Sequence, residues 1–163
     1  MEILRKVYRH PVIETFLLLV VGFQVITGIR LAYKRKASST AEKIQVWSGL
    51  YLAFFLIAHV GAVISGRYVE LLDTNFYYGA IGMNFDPAYF IFVPYYFLAV
   101  VAISLHVAAI HYIKTGARKI SVTIGAVGVA AAVVIILAYT NNFQGKQLPK
   151  EYVDFMKALF GKS

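Results

Sequence analysis

The sequence predicts an all-α integral membrane protein, a four-helix transmembrane bundle followed by a short amphipathic C-terminal helix. Hydrophobic residues make up 60% of the 163 residues and charged residues 15%, and the mean hydropathy is +0.67. This composition is too apolar for one soluble domain, which must cover its surface with polar residues. The chain also contains four apolar runs of about the length that a helix needs to cross a hydrocarbon core of about 30 Å.

The apolar runs place the spans at residues 11–33, 44–65, 88–112 and 121–139. Charged residues occur only in the first span, where Glu14 and Arg30 stand near its two ends. We expect helices because lipid offers no partner to an unpaired backbone group and because the alternating pattern of barrel strands is absent. Residues 1–163 are therefore expected to form a single transmembrane domain.

Two segments outside the spans also have a recognisable pattern. Pro149, followed by apolar residues at helical spacing, predicts an amphipathic helix over about residues 149–161 that lies on the membrane surface. The segment from Gly66 to Pro87 is long against a usual loop median of about 4–6 residues, and such loops often carry function. Its tyrosines fit either a roof over a lipid-soluble headgroup near His59 or an ordinary aromatic belt.

The charges give a preferred orientation. Lysine and arginine are divided equally between the two faces, so the positive-inside rule alone does not decide. On one face, however, they cluster around two tight loops: Arg30, Lys34, Arg35, Lys36, Lys43, Lys114, Arg118 and Lys119. We expect this face inside and both termini on the outer face.

The net charge of +8 bears on the partners. It suits anionic lipid headgroups at the helix ends, and no basic soluble surface indicates nucleic acid. A homo-oligomer is compatible with the sequence. Cysteine is absent, which excludes thiolate metal ligands and thiol nucleophiles.

Polar side chains inside the spans are the candidates for a functional site, because a polar group in hydrocarbon is costly. They are Glu14, Thr15, Gln24, Thr27, Gln45, Ser48, His59, Ser104, His106 and His111, with His10 at the outer mouth of the first span.

Helical spacing groups several of these candidates. Gln45, Ser48 and His59 fall on one stripe of the second span, with Gly49 beside it. In the third span, alanines flank His106. Small residues beside a histidine leave room for a flat group, so His59, His106, Ser48 and Gly49 are candidate cofactor contacts.

Each candidate also has a simpler explanation, in which the side chain only hydrogen-bonds or packs against a neighbouring helix. That explanation suits Gln24, Thr27 and Ser48, and it gives Gln24 a hydrogen bond to His106 from the first span. Glu14 would then be a protonated or water-facing acid near the interface.

Depth separates the two central histidines. His59 lies about 6 residues and His106 about 18 residues from the outer ends of their spans, a difference of about 18 Å at about 1.5 Å per residue. They are therefore not expected to hold one iron together.

The segments Trp47–His59 (WSGLYLAFFLIAH) and Ser104–His111 (SLHVAAIH) carry a resemblance to a known family. They are similar to the first two haem-ligating helices of the cytochrome b membrane anchor in the five-helix, di-haem succinate dehydrogenase and quinol:fumarate reductase family. The resemblance covers about residues 44–112. It implies that His59 is the outer and His106 the inner ligand of haem b. It also implies quinone chemistry in a bacterial or organellar inner membrane, with a flavin and iron–sulfur partner protein on the inner face.

The chain differs from that family in the histidines that would be the second ligands of the two haems. In the family, the matching histidines come from the last two helices, but only one span follows His106 here and it contains no histidine. The extra first span offers His10 at the outer level and Gln24 near the middle as substitutes.

Two hypotheses of different classes follow. In the first, the chain is a b-type cytochrome-like or quinone-reactive membrane anchor that passes electrons between quinone and a partner redox protein. In the second, it is a haem-free structural membrane anchor that docks a partner protein through its basic loops. Catalysis within this chain alone is not expected under either hypothesis, because no nucleophile, paired carboxylate or complete metal site is visible.

Overall fold

The computed structural model describes residues 2–140 and 147–161, and these form seven α-helices and no β-strand. The helices are, in chain order, α1 (Glu2–Tyr8), α2 (Pro11–Lys34), α3 (Thr40–Tyr68), α4 (Phe76–Asn84), α5 (Tyr89–Thr115), α6 (Arg118–Tyr139) and α7 (Lys150–Phe160). Four of them, α2, α3, α5 and α6, are long and apolar enough to cross a membrane. The predicted all-α transmembrane class is confirmed.

The ends of the long helices are set by local residue chemistry. Pro11 occupies the first turn of α2, where the missing N–H costs nothing. Ser39 and Glu42 form a capping box at the start of α3. The Ser39 hydroxyl accepts a hydrogen bond from the Glu42 N–H at 3.2 Å, and the Glu42 carboxylate accepts one from the Ser39 N–H at 3.0 Å. Gly116 ends α5 with a φ of 69°, a conformation that glycine adopts without strain. Short turns therefore join α2 to α3 and α5 to α6.

The four long helices stand side by side in chain order. Helix α2 packs on α3, α3 on α5, and α5 on α6, and no other pair among these four described helices is in contact. Helices α2 and α6 are therefore the two edges of the row. We call the end with the short turns the turn end and the opposite end the cap end.

Small residues bring α5 and α6 close together. Gly128 and Ala132 of α6 are buried, and a Cβ added at Gly128 would overlap the side chain of Ser104 on α5. The Ser104 hydroxyl donates back to the Val100 carbonyl at 3.0 Å, so this polar group is satisfied inside its own helix. Close backbone approach through small residues is the usual way that membrane helices gain van der Waals contact.

The cap end carries the most deeply buried apolar cluster. Ile81 of α4, Phe85 and Ala88 pack with Tyr152 and Met156 of α7. The segment between α3 and α5, expected from its sequence to be a long loop, thus contains a helix that is packed on both α5 and α7.

The C-terminal helix forms where it was predicted, but its main contact differs from the prediction. Tyr152 and Met156 are 1% and 2% exposed, because the apolar face packs against α4. The sequence pattern predicted that this whole face contacts the membrane surface. Only Leu159 and Phe160, at the end of the helix, stay exposed for such a contact.

A polar network around Asp73 joins the short elements of the cap. The Asp73 carboxylate pairs with Arg5 at 2.9 Å and with Arg9 at 2.7 Å, and its backbone carbonyl accepts from the Tyr152 hydroxyl at 2.9 Å. Asn75 donates to the same carboxylate at 3.1 Å. Both described ends of the chain are thereby held at the cap end.

Another ion pair, next to this network, joins α2 to α3. Arg67 pairs with Glu14 and donates to the Thr74 hydroxyl at 3.2 Å. Glu14 is therefore an ion-paired carboxylate, and the expectation of a protonated or water-facing acid is replaced by this contact.

The glycine contact between α5 and α6 gives a stability prediction. Gly128→Ala should lower the free energy of unfolding by about 1–3 kcal/mol, because overpacking forces the two helices apart. Gly61→Ala in α3 is the matched control, since a Cβ there meets nothing within 4 Å. Thermal unfolding in detergent measures both. Equal stability of the two variants would contradict the close contact.

The Asp73 network gives a pH prediction. Partial burial raises the pKa of the Asp73 carboxyl, but hydrogen bonds and charge from Arg9, with Asn75 and Arg5, outweigh it and hold that pKa below its ordinary 3.8. Because the pKa is lower in the folded state, the ionised Asp73 carboxylate stabilises the cap above pH 3.8. This stabilisation is lost as the pH falls below 3.8 and the carboxylate is protonated.

Melting temperatures measured between pH 6 and pH 2.5 should show this loss in the wild type and a smaller one in Asp73→Asn. At neutral pH, Asp73→Asn should cost about 0.2–1 kcal/mol for each of its partly exposed pairs. Asp154→Asn on the exposed side of α7 is the control. An identical pH dependence in wild type and Asp73→Asn would show that the network does not stabilise the cap.

Candidate functional site

His106 of α5 reaches across to the backbone of α3. Its Nδ1 lies 2.9 Å from the Gln45 carbonyl oxygen and 3.1 Å from the Ser48 hydroxyl oxygen. A carbonyl oxygen only accepts, so we assign the proton to Nδ1, which then donates to Gln45. In this tautomer Nε2 carries a lone pair, and no described residue bonds to it.

The α3 sequence makes room for this ring. The Ser48 hydroxyl donates back to the Ile44 carbonyl at 2.6 Å, which leaves its oxygen to face the imidazole. A Cβ at Gly49 would stand 3.1 Å from Cε1 of His106, closer than ordinary side-chain contacts. Glycine at this position therefore lets the imidazole lie directly on the α3 backbone. Fixing one histidine nitrogen in this way also orients the other, as is usual for ligand-binding histidines.

A groove of about 540 Å³ opens beside this ring, between α2 and α3. His106, Gly49 and Gln24 line it, together with apolar residues of both helices. Sites for organic ligands commonly measure about 300–1,000 Å³, with mostly apolar walls and a few polar groups. The groove has this character.

Gln24 lies on the α2 wall of the groove. Its side chain is exposed and hydrogen-bonds to no described residue. The expected hydrogen bond between Gln24 and His106 is not among the contacts of the described residues: both side chains line the groove, but α2 and α5 do not pack on each other. The amide is instead open to whatever occupies the groove.

Positive charge marks the turn end of the groove. Lys34 and Arg35 line it there, and Arg35 donates to the Gln45 side chain at 2.7 Å and pairs with Glu42 at 3.4 Å. Arg35 therefore joins the turn after α2 to the first turns of α3. The basic groups lie at this end of the groove, whereas Gln24 lies 35 − 24 = 11 residues from Arg35, at the opposite end of the lining on α2.

His59 lies in different surroundings. Its ring stacks on Phe55 with centroids 5.1 Å apart and meets the edge of Tyr96 at 6.0 Å. It makes no hydrogen bond with a described residue. Ser48, which touches His106, is 11 residues away on the same helix, since 59 − 48 = 11, or about 16 Å along its axis. The two histidines thus lie at different levels, in agreement with the depth count.

The other two histidines are not near this groove. His10 is exposed at the start of α2 and makes no side-chain cap. The Nδ1 of His111 lies 2.9 Å from the Ser121 hydroxyl and joins α5 to α6. Over residues 2–140 and 147–161, no group of three or more histidine, cysteine or carboxylate side chains could hold a metal ion.

The alanines that flank His106 have a packing role. Ala99, Ala102 and Ala109 are 3%, 7% and 5% exposed, so the space beside them is filled by neighbouring helices. The expectation that they leave room for a flat group is wrong. The open space lies on the other side, between α2 and α3.

Sequence reasoning did not find the Gln45 carbonyl or Arg35 as parts of this site. Every residue has a backbone carbonyl, so the sequence does not indicate which carbonyl accepts a hydrogen bond from a side chain. Arg35 appeared only as one of many charges around a loop. Ser48 and His106 do, however, lie at similar depths in their predicted spans. Their depths could therefore have predicted a contact between them.

Comparisons with protein-family models, with curated proteins and with solved structures found no match for this chain. The resemblance to the succinate dehydrogenase and quinol:fumarate reductase anchors therefore stays an expectation based on two short segments.

The assigned tautomer gives a prediction that separates the two contacts of His106. His106→Ala should lower the free energy of unfolding by about 0.6–2 kcal/mol, the usual range for a hydrogen bond between membrane helices. Ser48→Ala should cost less, because the Gln45 carbonyl still accepts from Nδ1. Thermal unfolding in nanodiscs measures both, with His10→Ala as an exposed control. A Ser48→Ala cost as large as that of His106→Ala would contradict the assigned tautomer.

Proposed function

We propose that this chain is a quinone-reactive membrane anchor. In this proposal the His106 groove binds the ring of a quinone or quinol, and a partner redox protein of the flavin or iron–sulfur class docks at the turn end. The observation that carries the proposal is the imidazole of His106. Its Nδ1 is hydrogen-bonded to the Gln45 carbonyl of α3. Its Nε2 makes no hydrogen bond with a described residue, and the ring lines a groove of about 540 Å³.

The polar groups of the groove match the oxygens of a quinol. The lone pair on His106 Nε2 can accept from one ring hydroxyl, and the Gln24 amide can bond to the other oxygen. A quinol that is oxidised loses a pair of electrons and the proton of each hydroxyl. The imidazole can take up one of these protons, and the second passes to water. The two electrons pass to the partner protein, which is the electron acceptor.

Haem fits the described residues less well than a quinone does. His59 lies in an aromatic contact between α3 and α5, and no second histidine contacts it. His106 offers one nitrogen, and the residues across the groove include no histidine. Among the described residues, a haem held at His106 or at His59 would therefore have one histidine ligand. The haem b hypothesis therefore rests on His106 alone.

The basic turn end supports docking of a partner. Glu42, the acidic residue of this region, is paired with Arg35. The remaining basic side chains there are exposed and pair with no described acid: Lys34, Lys36, Lys43, Lys114, Arg118 and Lys119. The same surface supports the alternative function, a haem-free structural anchor that docks a partner without binding quinone.

Quinone binding to the purified protein tests the proposal. A decyl-substituted benzoquinone should bind to protein in nanodiscs above the background of empty discs, as measured by calorimetry. His106→Ala should weaken this binding by about tenfold or more, because it removes a hydrogen bond and the wall of the groove. His10→Ala should bind like the wild type, since its side chain is exposed at the cap end.

Two outcomes would overturn the quinone proposal. If wild-type and His106→Ala proteins bind the quinone equally, the groove is not its site and the structural anchor is the better reading. If the purified protein instead has a Soret band that His106→Ala removes, the groove belongs to a haem.

A further inference from the structure

A second, wholly apolar groove of about 250 Å³ lies between α2 and α3, nearer the cap end. Leu18 and Gly22 of α2 and Val60 of α3 line it, and it has no polar side chain in its wall. No other long helix contributes to it.

The two grooves are neighbours. Val25 of α2 and Leu56 of α3 line both of them. From Lys34, the last residue of α2, to Leu18 the lining extends over 34 − 18 = 16 residues of the helix, or about 24 Å. Polar groups line only the first groove, from Arg35 at the turn end to Gln24 next to the second groove. The combined shape fits an amphiphile with its polar ring beside His106 and its chain directed towards the cap.

Two glycines of α2 add space along this path. Gly28 lines the first groove and Gly22 the second, and a Cβ added at either would meet nothing within 4 Å. Helix packing therefore does not require glycine at these positions, in contrast to Gly128.

We infer that the second groove holds the hydrocarbon tail of the quinone whose ring occupies the His106 groove. This inference rests on the proposed function, and it narrows the ligand to quinones with a long apolar tail. Because Val25 and Leu56 line both grooves, a tail joined to the ring can enter the second groove directly, which favours it over an independent phospholipid chain. The ligand would then lie between α2 and α3 across much of the membrane.

Two photoreactive probes test this placement separately for the ring and for the tail. Both are decyl-substituted benzoquinones, one with a diazirine on the ring and one with a diazirine at the end of the tail. After illumination of the protein in nanodiscs, mass spectrometry locates the labelled residues. The ring probe should label the region around Gln24 and Gly49, and the tail probe should label residues 18–22 and 57–60.

A blocking variant makes the tail assignment specific. Gly22→Leu fills the second groove and should lower labelling by the tail probe about fivefold, the scale of a few lost packing contacts. Gly61→Leu is the matched control, because Gly61 lies outside both grooves and has the same free space around it. Its labelling should equal that of the wild type.

The outcomes distinguish the two proposals. If the ring probe labels the His106 groove while the tail probe labels α6 as strongly as residues 18–22, the tail inference is overturned and the quinone site stands. If the ring probe does not label the His106 groove, the proposed function fails and the inference fails with it. If a phospholipid with a diazirine on its acyl chain labels the second groove and excess quinone does not displace it, the occupant is a lipid and the inference is wrong.

Discussion

The pairing of α3 with α5 is the contact on which the rest of this structure depends. Lipid tails are as apolar as leucine, so membrane helices are held together by close packing and hydrogen bonds rather than by exclusion of water. Here the His106 imidazole donates to the Gln45 carbonyl at the turn end, and the Tyr51 hydroxyl donates to the Tyr95 carbonyl further along the same interface at 2.8 Å. These bonds fix the register of the two helices, and α2 and α6 are added on either side.

The polar groups of the molecule are divided between its two ends, and each end has a different role. At the cap end, the Asp73 network and the cluster around Tyr152 and Met156 use the short helices α1, α4 and α7 to hold the described chain ends together. At the turn end, the charges remain exposed and the row of helices opens into a groove. Stability is therefore concentrated where the proposed ligand does not bind, which leaves the contact between α2 and α3 free to serve it.

The sequence predicted the four spans well because their length is imposed by the bilayer. All but residue 88 of the predicted spans lie inside the observed helices. Helices α1 and α4 were not predicted, since they are short and depend on tertiary contacts such as those of Arg5 and Ile81. His106 stood out because a polar group in lipid is costly, whereas its partner, a backbone carbonyl, has no sequence signature. The predicted bond from Gln24 is not among the contacts of the described residues: its side chain and that of His106 line one groove, but α2 and α5 do not pack on each other.

The protonation of His106 tests the central claim most directly. Nitrogen NMR of the protein with ¹⁵N-labelled histidine, assigned with His106→Ala, should find the proton of this ring on Nδ1. Addition of decyl-benzoquinol should shift the Nε2 signal of His106 and leave those of His59 and His111 unchanged. A proton on Nε2 in the free protein, or a quinol-dependent shift at His59 alone, would contradict the account.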